Sequence, residues 1–304
     1  MVVGERAPFR ADGADVVNRR ILVVGMHRSG TSVLTRVLNL LGLPLCVDAL
    51  EKPRPDNPGG HWESYSLFRF NEQLLMALGG NWHRPPSLRA GWEECPKART
   101  LRARADSLFA AAYPTNDWVW KDPRICLTLP FWRPIAQPTA AVLVIRHPSA
   151  IAASLRQRDN LPQLVGLALW ERYMRSALQS ISGMPVVVVR YRELVASPAA
   201  AVVKLVEDFA RIGIGLDGER RRAVQAITPA LDHGGRSPIR LTTPQRQLLT
   251  LTDRLPDVSP SFARPDLPQE TRWAPMAFLL GTAVMRATAR ASESRLPAEG
   301  PIER

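Results

Sequence analysis

Ile21-Leu22-Val23-Val24-Gly25-Met26-His27-Arg28-Ser29-Gly30-Thr31-Ser32 decides the fold. Its first four residues form an unbroken apolar run closed by glycine, which fits a strand buried on both faces in a parallel sheet. Its last eight form a glycine loop. Beyond it, Val33 to Leu41 is apolar at helical spacing, and Gly42 and Pro44 stop the helix. The unit is strand, loop, helix. Such a loop turns backbone N–H groups toward an anion at a helix N-terminus, and it needs small or hydroxylated side chains there. Gly30, Thr31 and Ser32 meet that need.

The same alternation continues outward. Apolar strands are expected at Trp118–Trp120, Ala141–Ile145 and Val186–Val189. Helices are expected from about Tyr65 to Leu78, Ala98 to Ala112 and Pro162 to Ile181, and further ones from Ser149 and after Pro198. On the Pro162–Ile181 helix, Glu171, Arg172, Arg175 and Gln179 read as one wet stripe. Four strands alternating with helices predict an α/β fold, a three-layer P-loop-type parallel sheet flanked by helices. Its ligands are expected at the carboxyl ends of the strands. Residues 48–62 read as a long functional loop. Beyond about residue 215 the pattern weakens into a helical and irregular extension. The expected organisation is a flexible arm at 1–18 and a single domain at 19–304. Within that domain, 19–215 would form the donor-binding core and 216–304 an extension able to act as a lid.

Bulk composition narrows the function. The 304 residues carry a net charge of +12, and only four of the 40 basic residues are lysines. Either an anionic partner or an arginine-rich coding bias accounts for that charge. The three cysteines are scattered, with neither disulfide nor metal-ligand spacing. No apolar signal core opens the chain, and Trp273–Met285 is too short to span a bilayer. A cytoplasmic setting without stable membrane insertion is expected, with no metal and no nucleic-acid partner.

The loop departs from the phosphate loop of nucleotide-triphosphate enzymes at one place. Thr31 stands where they carry lysine, and Arg28 supplies the positive charge instead. A kinase would also need an acid closing a strand to hold Mg²⁺. Asp122 is the candidate, in an unusual Lys121-Asp122-Pro123 setting. After the third strand, Arg146 and, eight residues on, Ser154 offer a guanidinium and a hydroxyl suited to a monoester phosphate.

Taken together these elements resemble the PAPS-dependent sulfotransferases, in their bacterial and carbohydrate-type branch. Arg28-Ser29-Gly30-Thr31-Ser32 resembles that family's 5′-phosphosulfate loop. Val144-Ile145-Arg146-His147-Pro148 through Ser154 is similar to its 3′-phosphate strand, turn and helix. Arg190-Tyr191-Arg192-Glu193-Leu194 resembles the segment whose tyrosine lies near adenine, and Trp120-Lys121-Asp122-Pro123-Arg124 its Lys-Asp-Pro element. The likeness spans about residues 20–210. A late Arg-Lys-Gly element of the cytosolic branch is missing, and Arg236 is the candidate to stand in for it. The resemblance implies PAPS (3′-phosphoadenosine 5′-phosphosulfate) as donor and a hydroxyl acceptor, a glycan or small molecule. Arg28 and Lys121 are then expected on the leaving phosphate and the transferring sulfuryl group, without a metal.

The acceptor hydroxyl must lose a proton. Glu63 is the first candidate base, with His61 and Glu51 behind it. The plainer reading of Glu63 is a carboxylate facing a helix dipole. Trp62 is expected to offer the acceptor a stacking face. Two other functions compete with sulfuryl transfer: a nucleotide-dependent kinase on the same scaffold, and a non-catalytic polyanion-binding protein.

Overall fold

The computed structural model describes residues 18–51, 59–228 and 239–293. The arm expected at 1–18 falls outside these, apart from Asn18, and so does Arg236. The chain begins with β1 (Arg20–Val24), the anion loop and α1 (Thr31–Leu40). Then follow α2 (Tyr65–Ala77), a short 3₁₀ turn at Trp92–Glu94, α3 (Pro96–Arg99), α4 (Arg102–Ala112), β2 (Trp118–Lys121) and α5 (Ile125–Ala136). Next come β3 (Ala140–Ile145), α6 (Pro148–Asp159), α7 (Gln163–Ser180), β4 (Val186–Arg190), α8 (Tyr191–Ala196) and α9 (Pro198–Ala210). The chain closes with α10 (Arg220–Gln225), α11 (Thr243–Asp253), β5 (Val258–Ser259) and α12 (Ala274–Glu293).

The sheet order is β2-β1-β3-β4-β5, with the first four strands parallel. Side chains alternate across it. Leu22, Val24, Trp120, Leu143 and Val188 face one apolar layer, with α2, α4, α5 and α7. Ile21, Val23, Val119, Val142 and Val187 face the other, with α1 and α9. This two-sided burial explains why the strands carry no polar alternation. Each fully buried aliphatic side chain contributes about 1.5–3 kcal/mol over its exposed state. The three-layer α/β expectation holds.

Four readings need correction. The sheet has a fifth, antiparallel strand: β5 pairs with β4 at its edge. The expected helix at Ala98–Ala112 is two helices, broken at Thr100-Leu101. A whole helix, α5, escaped notice because Pro130 and Pro134 lie inside it. Interior proline ordinarily breaks a helix. Here burial of Ile125, Leu129, Phe131 and Trp132 outweighs the lost hydrogen bonds. Finally, Glu171 is not on a wet stripe. It is fully buried, and its Oε1 accepts from Thr271 N at 2.8 Å. The segment before α12 docks along α7, where Arg172 pairs with Glu270 and Arg175 donates to Pro268 O.

Candidate active site

The loop leaves β1 at the carboxyl edge of the sheet. Gly30 is the N-cap of α1 at φ 98°, with no side-chain cap and no acid in the first turn. The leading N–H groups of α1 therefore remain available to an anion. A Cβ on Gly30 would overlap the Tyr191 ring, so glycine is required there twice over. Arg28 also lies in the left-handed region, at φ 66°, a cost that functional loops commonly carry. Ser29 is buried, and its Oγ has no hydrogen-bond partner among the described residues.

The residues of the second expected phosphate site gather on this loop. Arg28 Nε donates to Ser154 Oγ at 2.8 Å. Arg146 Nη1 donates to the Arg28 carbonyl at 2.7 Å, and its guanidinium lies 4.4 Å over the Tyr191 ring. Strand β3 delivers Arg146, α6 delivers Ser154 and the start of α8 delivers Tyr191. Three elements far apart in sequence thus converge on one loop.

Opposite stands the Lys121 side chain, 1% exposed. Its Nζ donates to Glu63 Oε1 at 2.5 Å and to Ser32 Oγ at 3.1 Å. Glu63 precedes Ser64, the residue that caps α2 by accepting from Leu67 N. The Glu63 carboxylate therefore engages Lys121 and not the helix dipole. Burial raises its pKa, but the charges of Lys121 and Arg124 and the Lys121 hydrogen bond outweigh burial and hold it below the ordinary range. Asp122 is oriented as a support. It accepts from Asn71 Nδ2 at 2.8 Å and from Arg124 N at 2.9 Å, and it pairs with the Arg124 guanidinium at 3.0 Å. Arg124 also pairs with Glu72 and lies 4.5 Å over Phe68.

Arg28, Arg146, Tyr191, Ser32, Glu63, Lys121 and Arg124 line a cavity of about 520 Å³, with Asp122 supporting Arg124 outside the lining. Arg28, Gly30, Thr31, Ser32, Arg146 and Tyr191 form one end, with Glu63, Lys121 and His61 beyond them. Ser29 and Ser154 are not in the lining: Ser29 belongs to the loop, and Ser154 accepts from the lining residue Arg28. Glu51 is exposed and outside the cavity. Half-buried Trp62 also lies outside the lining; its indole donates to Gly59 O while Arg36 covers its ring at 4.5 Å. Trp82, Phe68, Tyr65 and Tyr191 supply the aromatic lining, and Arg158 lies 5.4 Å over the Trp82 ring.

Sequence reasoning gave no site role to Trp82 or Arg158, and it quoted His27 and Arg124 only within their motifs. His27 packs against Trp82 and Tyr173. Burial, then the charges of Arg124, Arg158, Lys121 and Arg28, push its imidazole well below the ordinary range, so it is neutral at pH 7. Arg124 was legible as the residue after Lys121-Asp122-Pro123. Trp82 and Arg158 carried no local signal. Cys46 and Cys126 are buried thiols pushed up to about 12, which leaves them unreactive. Among the described residues no group of three or more His, Cys, Asp or Glu is placed to hold a metal ion. Among the same residues no helix is long and apolar enough to cross a membrane.

The chain matches the sulfotransferase family over residues 20–211 and belongs to that family. No curated protein matches it. Among solved structures it is similar to the sulfotransferase domain of the olefin synthase of Synechococcus PCC 7002, at 18% identity and TM-score 0.43. That match covers 83% of this chain and 100% of the other. It is similar to the sulfotransferase domain from the curacin biosynthetic pathway at 15% identity and TM-score 0.44, covering 79% of this chain and 99% of that one. It is also similar to a sulfotransferase of Mycobacterium tuberculosis, at 21% identity and TM-score 0.38, covering 69% and 71%.

Proposed function

We propose that the protein transfers a sulfuryl group from PAPS to a hydroxyl of a glycan or other small molecule, with Glu63 as general base. The observation that supports this most is the convergence of Arg28, Arg146, Ser154 and Tyr191 on an uncapped helix N-terminus. Residues and donor fit. The buried, unpartnered Ser29 Oγ and the glycine cradle under Tyr191 suit a phosphosulfate. Arg146 and Ser154 suit a 3′-phosphate, and the Tyr191 ring suits adenine.

In this reading Arg28 and Lys121 hold the leaving phosphate and the transferring group, where negative charge develops. The N–H groups of α1 add fixed dipoles. Glu63 takes the acceptor proton. It sits beside Lys121, so the base and the charge clamp meet at one point, which favours in-line transfer. Trp82 and Phe68 wall the acceptor end. We assign the chain one domain, with residues 216–304 as an extension of the core.

The test is a mass-shift sulfation assay with PAPS over a panel of glycans and phenolic or aliphatic alcohols. An acceptor gaining one sulfate is the expected result. Transfer of a phosphoryl group from ATP, with none from PAPS, would favour a kinase.

A further inference from the structure

Lys121 belongs to both halves of the site. Its buried Nζ is bound on one side by Ser32 Oγ of the anion loop, at 3.1 Å, and on the other by Glu63 Oε1, at 2.5 Å. In nucleotide-triphosphate loops the hydroxyl at the position of Ser32 holds Mg²⁺. Here it touches an ammonium. An ammonium on a four-carbon stem turns its donors readily between partners. A phosphosulfate in the loop would bring dense negative charge within reach of the same Nζ.

We propose that Lys121, positioned by Ser32, makes the base conditional on the donor. The donor anion draws the ammonium toward the loop, and the Glu63 carboxylate is thereby released to accept the acceptor's proton. This rests on the reading of the loop as a donor site. A carboxylate locked in an ion pair is a poor proton acceptor, whereas a buried one relieved of its cation is a better one. The other charged groups around Glu63 are Arg124, His61 and Asp122. Arg124 remains committed to Asp122 and Glu72. The Lys121 contact is therefore the one the donor can take over. Proton abstraction would then await a loaded loop, and donor would bind before the productive acceptor complex forms.

The experiment is calorimetric titration of the full chain with adenosine 3′,5′-bisphosphate between pH 5 and 6, in two buffers of different ionisation enthalpy, for the parent and for Glu63→Gln. Protons exchanged by the nucleotide's own phosphates are common to both proteins. The parent should take up a further fraction of a proton per nucleotide, belonging to Glu63. Equal uptake by two proteins that both bind the nucleotide overturns the proposal. If Glu63→Gln does not fold, the parent's kinetics decide. The acid limb of kcat, which reports the loaded enzyme, should lie at higher pH than that of kcat/KM for the donor. Coincident limbs overturn it as well. A parent that binds no nucleotide would instead sink the donor reading beneath it.

Discussion

Glu63 and Gly30 show how single residues carry the site. The Glu63 carboxylate sits 2.5 Å from Lys121 Nζ in a buried pair. Its folded pKa is lowered, so the stability it contributes is present above the unfolded value of about 4.3. That stability is lost as pH falls through the lower folded value. The stability gap between parent and Glu63→Gln, read by urea unfolding, should be full at neutral pH and narrow as pH falls below about 4.3. On activity, Glu63→Gln should lower kcat by about 10²–10⁴-fold, the scale of general-base catalysis. An unchanged kcat would remove Glu63 from the chemistry. Gly30→Ala forces a side chain into the left-handed region and into the Tyr191 ring. A loss of at least about 1–3 kcal/mol is expected from the backbone alone, read as a lower denaturant midpoint. The loop was legible in sequence because its chemistry is contiguous. The Trp62 reading failed because nothing local shows that Arg36 covers that ring.

At the scale of elements, each of the four parallel strands leads at its carboxyl end into one part of the cavity: β1 into the loop, β2 into Lys121, β3 into Arg146 and β4 into Tyr191 at the start of α8. The strands could be read from apolar runs because both faces of the sheet are covered. Helix α5 could not, since its two prolines speak against a helix and only tertiary burial answers them. The same holds for Glu171, whose charge suggested solvent until the segment ahead of α12 supplied Thr271 N. Helix α2 sets the direction of Glu63 through its neighbour, the Ser64 cap. Ser64→Ala should destabilise the protein by about 1 kcal/mol, typical of a lost N-cap. It should also lower kcat more than donor affinity, as steady-state kinetics would show. A cap serving stability alone would leave kcat unchanged.

The whole molecule brings residues from β1 through α12 to one cavity: Met285 of α12 lines it together with the loop. The net charge of +12 suits a donor bearing several negative charges, and its binding should weaken as salt rises. Nucleotide held at 100 times its dissociation constant should stabilise the fold by about 2.7 kcal/mol, seen as a raised melting temperature. The most direct measurement of the central claim is the affinity for adenosine 3′,5′-bisphosphate in the presence of a metal chelator, for the parent and for Arg146→Ala. One site per chain, with binding weakened at least tenfold in the variant, is the predicted result. No binding by the parent, or equal binding by both proteins, would contradict the account.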